Sequence, residues 1–159
     1  MPEITQAVTI NRPVNEVFRT VTDFKNAQQW QPDVTESHMS DEKIRVGIFV
    51  TQSRTSRALG WRLDFNADIT GYKPNRLVEY KGVIGRFPVT GRIEFDNSGS
   101  VTTVRETIDF RTGCLYTPVA PLITGALNTR TKNALDSLKT LLENKQPGAS
   151  TPTDFHQNL

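Results

Sequence analysis

Residues 59–69 read LGWRLDFNADI, in which Leu59, Trp61, Leu63, Phe65, Ala67 and Ile69 alternate with Gly60, Arg62, Asp64, Asn66 and Asp68. Successive side chains of a strand point to opposite faces, so this stretch predicts a strand with one apolar and one solvated face. The same split recurs in Phe87, Val89, Ile93 and Phe95 against Thr90, Arg92, Glu94 and Asp96. It recurs again in Val104, Ile108 and Phe110 against Thr103, Arg105, Thr107, Asp109 and Arg111. Antiparallel sheets with one wet face carry this signature, and their outward charges can pair across strands. Turn chemistry at GYKPN (71–75) and DNSGS (96–100) separates the strands, and GVIGRFP (82–88) marks a further reversal.

Toward the N-terminus, Ile4, Val8 and Ile10 alternate with polar neighbours, interrupted by Gln6, and predict a first strand that stops before Pro13. Asn11 is placed to cap, Pro13 suits a first helical turn, and Val14, Val17, Phe18 and Val21 recur at helical spacing. DFKNAQQW (23–30) predicts a second short helix closed by Pro32. Toward the C-terminus, after Pro118 and Pro121, the period lengthens. Leu122, Ile123, Ala126, Leu127, Ala134, Leu135, Leu138, Leu141 and Leu142 form one stripe. This predicts a helix of roughly six turns ending near Asn144. The Pro-, Ser- and Thr-rich stretch 146–159 reads as a disordered tail beyond a domain of residues 1–145.

The 159 residues fit one domain. Nineteen Lys and Arg against 17 Asp and Glu leave a net charge of +2, with signs interspersed, which argues against a nucleic-acid binder. The apolar runs are too short to span a bilayer, so no transmembrane segment is expected. The opening MPEITQAVTI has neither a positive leader nor an apolar core, and a cytoplasmic protein is expected. The one cysteine, Cys114, excludes an internal disulfide. No cluster of His, Cys, Asp or Glu has ligand spacing, so neither a metal nor a cofactor is called for. Cys114 with His38 or His156 makes no recognisable nucleophile pair. The GVIG turn lacks the following helix that a phosphate cradle needs. Arg54, Arg57 and Arg62 read as a solvated face.

One strand, two short helices, a run of strands and a long closing helix is a constraining order, because only that helix is long enough to cover the sheet. In this order, with the segments INRPVNEVF (10–18), VTDFKNAQQWQPDV (21–34), RVGIFV (45–50) and ALNTRTKNALDSLKTLLE (126–143), the chain resembles the helix-grip family. That family includes the START domains, the polyketide cyclase and dehydrase-like proteins and the birch pollen allergen-like proteins. The resemblance covers residues 3–145. It implies an α+β helix-grip fold, a curved antiparallel sheet of about seven strands wrapped around the long C-terminal helix, with two short helices after strand 1. It also implies an apolar cavity between sheet and helix that takes lipids, sterols, polyketides or similar molecules.

Two elements carry breaks in the apolar pattern. Glu106 falls on the same face as Val104, Ile108 and Phe110, where a carboxylate must be paired, hydrogen-bonded or protonated. It is a candidate polar anchor or acid/base group, unless a bulge turns it outward or an inward Arg on a neighbouring strand pairs it. On the long helix, Thr131 and Asn128 fall where the stripe should be apolar. Each can offer a hydrogen bond to a ligand, or Thr131 can bond its own preceding carbonyl. Gly125 is a candidate point of helix loosening. The inward aromatics are Trp61, Phe65, Tyr80, Phe87, Phe95 and Phe110, most of them core and a few lining the cavity, while the strand of Phe49 is apolar on both faces and leaves its side open; Trp61, Phe65, Tyr80, Phe87 and Phe110, with Ile108 and Leu127, complete the candidate lining, and Trp30 is assigned to packing. Tyr80 is the second candidate for proton transfer, since a buried phenol needs a partner.

Three functions fit this reading. The first is binding of a small hydrophobic ligand, without covalent chemistry, in a monomer or possible homodimer; release then requires the helix start or the 82–88 turn to move. The second is a cyclase or dehydratase acting in the same cavity through Glu106 or Tyr80. The third is a protein-interaction module resembling the co-chaperone or toxin relatives.

Overall fold

A computed structural model describes residues 3–31, 34–40, 43–51, 60–84, 87–110 and 120–144. The elements are β1 (Glu3–Ile10), α1 (Val14–Thr22), a 3-10 helix (Phe24–Gln29), β2 (Val34–Ser40), β3 (Lys43–Thr51), β4 (Gly60–Lys73), β5 (Leu77–Ile84), β6 (Phe87–Ser98), β7 (Val101–Phe110) and α2 (Ala120–Glu143). All strands pair antiparallel in one sheet of order β1-β7-β6-β5-β4-β3-β2. Strands β2 to β7 thus pair with their chain neighbours, and β1 closes the sheet against β7. The tail expected over 146–159 lies outside the described residues, as do Cys114 and His156. No helix of the described residues is long and apolar enough to cross a membrane.

Alternation sets the inward face strand by strand. Ile4, Val8 and Ile10 of β1, Val78 and Tyr80 of β5, Val89, Ile93 and Phe95 of β6, and Val104, Ile108 and Phe110 of β7 all point to the side that α2 covers. Two features bend this surface. In β4 the register slips between Ile69 and Gly71, so Thr70 is a bulge residue and the inward parity passes to Tyr72, whose ring meets Phe18 edge-on at 5.5 Å. Opposite Ala67, a Cβ on Gly82 would collide with the Asn66 carbonyl oxygen and stand 2.6 Å from the Ala67 Cα. Only glycine lets β4 and β5 approach so closely there. The turns fall where the sequence placed them, with left-handed Asn75 (φ 61°) and Gly99 (φ 66°) closing them.

The helical segments depart from expectation in detail. Pro13, not Asn11, caps α1: its carbonyl accepts from the amides of Glu16 and Val17. The Asn11 amide instead donates to the Glu143 carboxylate at 2.9 Å, because the chain leaving β1 meets the end of α2 there. The second short helix is a 3-10 turn, which leaves Ala27 and Trp30 buried against the core. Helix α2 runs unbroken through Gly125, where an added Cβ would meet nothing.

The apolar interior has two parts. The larger joins α1, the 3-10 helix and the C-terminal half of α2 (Ala134, Leu135, Leu138, Leu142) to Ile10, Val78, Ile93, Phe95 and Val104. The smaller gathers Ile4, Val89, Ile108 and Phe110, with half-buried Phe65, Ile84, Phe87 and Leu127 packed on it.

Candidate functional site

Between the two apolar clusters runs a polar level, and the strand sequences place it. Reading inward residues along β7 gives Phe110 and Ile108, then Glu106, then Val104; along β1, Ile4, then Gln6, then Ile10; along β6, Val89, then Gly91, then Ile93. On α2 the corresponding order is Leu127, then Asn128 and Thr131, then Ala134 and Leu135. Each element therefore passes from the smaller cluster to the larger through a polar or side-chain-free residue.

The centre of this level is a bond between β5 and β7. The Tyr80 hydroxyl donates to Glu106 Oε1 at 3.1 Å. These strands are not neighbours, since β6 runs between them. Tyr80 reaches across because it pairs with Gly91, and its ring lies flat over that residue: a Cβ there would collide with Cζ and Oη and stand 2.6 Å from Cε2. Phe65 holds the other side of the ring edge-on at 5.5 Å. Gly91 is thus as much a part of the site as the two groups it lets meet.

Neighbouring polar groups hold α2 and the 3-10 segment to this level. Glu106 faces Gln6 across the β1–β7 ladder, and Gln6 Nε2 donates to Asn128 Oδ1 at 2.7 Å. Further along the helix, Arg130 Nη2 donates to Gln31 Oε1 at 2.8 Å. Thr131, 1 % exposed, donates its hydroxyl to the Leu127 carbonyl at 2.8 Å.

Burial is the main influence on both titrating groups. It raises the Glu106 carboxyl above its ordinary value, against the opposing pull of the Arg130 charge and the Tyr80 hydrogen bond. It raises the Tyr80 phenol well above its ordinary value, helped by the Glu106 charge and the bond to it, with Arg130 opposing. Tyr80 is accordingly a proton donor at any physiological pH. The pair can hold a ligand's hydroxyl or carbonyl, and it can give or take a proton beside apolar surface.

The structure brings together Phe65, Tyr80 and Glu106 on one side of the site. Phe87, Ile108, Phe110 and Leu127 gather in the adjoining small cluster, and Asn128 and Thr131 stand at the helix above. Glu106 faces inward as alternation required, and its hydrogen-bond donor comes from β5 rather than from an Arg on a neighbouring strand. Trp61 pairs through its backbone with Val50 in the β3–β4 ladder; its side chain, like those of Phe49 and His38, is outside the described residues. Sequence reasoning missed Gln6, Gln31, Gly91 and Arg130. Gln6 had a signal equal to that of Glu106, being polar among Ile4, Val8 and Ile10. Gly91 had one as well, in the gap it leaves between Val89 and Ile93.

A separate open depression of about 420 Å³ lies on the opposite, wet face of the sheet, lined by Glu79, Lys81, Thr90, Arg92, Thr107 and Asp109 among others.

A curved antiparallel sheet gripping a long C-terminal helix defines a helix-grip protein, of the kind that includes START and polyketide cyclase-like domains. The chain belongs to the polyketide cyclase / dehydrase and lipid transport family, whose model matches residues 1–143. Among solved structures it is similar to a START superfamily protein from Mycobacterium smegmatis (14 % identity, TM-score 0.72, covering 89 % of this chain and 97 % of that one). It is likewise similar to the Zhui aromatase/cyclase from Streptomyces sp. R1128 (13 % identity, TM-score 0.70, covering 92 % and 96 %). A third similar structure is a conserved protein from Geobacillus kaustophilus (12 % identity, TM-score 0.70, covering 88 % and 94 %). At such identities the likeness is one of fold. A search of curated protein sequences finds no match to this chain.

Proposed function

We propose that the protein binds a small hydrophobic ligand, of lipid, polyketide or isoprenoid type, between the sheet and the N-terminal half of α2. The observation that carries this reading is the Tyr80–Glu106 bond, set between two apolar clusters. Apolar ligand surface leaves water at about 25 cal/mol per Å², and one polar pair fixes orientation. The family description, which names both lipid transport and cyclase chemistry, is consistent with it. In this reading residues 1–145 act as one cytoplasmic domain, alone or as a homodimer. Native mass spectrometry of freshly purified protein, with organic extraction of what it carries, tests the proposal. A discrete apolar adduct supports it, and a ligand-free mass under gentle conditions counts against it.

A second reading is a cyclase or dehydratase-like enzyme, favoured by the same pair because Tyr80 and Glu106 are proton carriers held beside apolar surface. Glu106→Gln separates the two. Binding retained with turnover lost assigns acid/base work to Glu106; turnover unchanged removes it.

A further inference from the structure

The interior is closed on both sides of the polar level and open within it. On β7 the inward residues Phe110, Ile108, Val104 and Thr102 keep 4 % or less of their surface, yet Glu106, in line between them, is half-buried. Ile93, opposite it on β6, is buried too. Glu106 is therefore reached from the α2 side, where Gln6, Phe65 and Leu127 are half-buried as well. The accessible surface under the helix gathers at the carboxylate.

The donors on this level are largely committed. Tyr80 spends its one proton on Glu106 Oε1 at 3.1 Å, Thr131 turns its hydroxyl to the Leu127 carbonyl at 2.8 Å, and Gln6 donates to Asn128 Oδ1 at 2.7 Å. Glu106 Oε2, by contrast, accepts no hydrogen bond among the described residues. With Glu106 ionised, the level offers an entering molecule one carboxylate oxygen, its partner oxygen held by Tyr80, and apolar surface on either side.

We infer that the ligand is an apolar molecule headed by one hydroxyl, alcoholic or phenolic, which donates to Glu106 Oε2, and that Tyr80 is the positioning residue that keeps this oxygen turned toward it. This rests on the ligand-binding reading above and names the ligand's head group. A carbonyl, ether or carboxylate head sets acceptor against acceptor at Oε2. An ammonium brings three donors to one free oxygen and buries the others without partners. A hydroxyl brings one donor to one acceptor, and the bond is charge-assisted, about twice as strong as a neutral one.

The test is calorimetric titration of the full chain with 1-decanol, 2-decanone and decylamine, at a pH where the carbon-13 shift of the Glu106 carboxyl shows it ionised. Decanol is expected to bind about tenfold or more tighter than decanone, the size of one hydrogen bond to a charged acceptor, and tighter than decylamine. Glu106→Gln turns the polarity around, since its amide oxygen takes the Tyr80 proton and its NH2 group faces the ligand. In that variant decanone should gain and decanol lose, so that the preference disappears or reverses, which a loss of packing alone does not produce. Tyr80→Phe, which removes the hold on the carboxylate but not the acceptor, should weaken decanol while keeping it ahead of decanone, and serves where Glu106→Gln fails to fold. Decanone or decylamine bound as tightly as decanol overturns the inference and keeps the ligand-binding reading, as does a preference unmoved by Glu106→Gln or lost in Tyr80→Phe. Binding of none of the three probes overturns that reading itself.

Discussion

The two halves of α2 are one continuous helix with two kinds of attachment. From Ala134 to Glu143 the inward side chains Ala134, Leu135, Leu138 and Leu142 are buried. Polar contacts clamp this end to β1. Lys139 donates to the Thr9 carbonyl at 2.7 Å, and Asn11 donates to the Glu143 carboxylate. Arg12 caps the Glu143 carbonyl at 3.3 Å, where a cation also suits the negative end of the helix dipole. From Thr124 to Thr131 only Thr131 is buried, Leu127 is half-buried, and side-chain hydrogen bonds to Gln6 and Gln31 hold the helix. The same element is therefore core at one end and lies beside the candidate site at the other. Burial is concentrated in the C-terminal half, so substitutions in the N-terminal half should cost folding less.

The largest expected effect tests the clamped half. Leu138→Ala removes a fully buried side chain and should destabilise by about 2–5 kcal/mol. Leu127→Ala, half-buried, should cost on the order of 1 kcal/mol. Urea unfolding of both variants reads the difference, and equal costs would erase the distinction between the halves.

Next in size is Gly91→Ala. The new Cβ occupies the place of the Tyr80 ring, so the ring must swing and the bond to Glu106 breaks, at a cost of about 1–3 kcal/mol. Adding Tyr80→Ala should recover much of that loss. A double-mutant cycle with simply additive costs would show that the ring does not need that glycine.

Tyr80→Phe removes one hydrogen bond to a half-buried acceptor and should cost about 1 kcal/mol at pH values where Glu106 is ionised. The Glu106 carboxyl should then rise further, since the hydroxyl bond holds it down. Carbon-13 titration of the Glu106 carboxyl measures this directly, and a downward shift would contradict the assigned bond.

The pH dependence follows from the sign of the Glu106 shift. Its folded value is raised, so the folded state binds the proton more tightly, and stability falls as pH rises from the ordinary carboxylate range through the raised value. Glu106→Gln should therefore gain stability relative to wild type above that window and match it below. Glu143 has the opposite sign: Lys139 and the Asn11 amide lower it, so its contribution is present above the ordinary carboxylate value and is lost as pH falls through the lowered one. Glu143→Gln should give the smallest change of all, seen as faster exchange of the Asn11 amide with little movement of the melting temperature.

Much of this architecture was legible in local pattern. Period-two alternation determined which face of β4, β6 and β7 points inward, and with it the inward position of Glu106. Helical periodicity determined the existence and C-terminal end of α2, and Pro118 and Pro121 marked the region where it starts. Turn residues determined where β4, β6 and their successors reverse. These are readable because each depends on residues a few positions apart. Tertiary structure alone decided the pairing of β1 with β7, which brings Gln6 opposite Glu106 from the far end of the chain. It also decided that Tyr80 would cross a glycine to a strand that is not its neighbour, and that Arg130 would face Gln31. Alternation assigns a side chain to a face but not to a partner; the partner depends on strand order, on sheet curvature and on the height at which the helix crosses, and those are set by the packing of the whole chain.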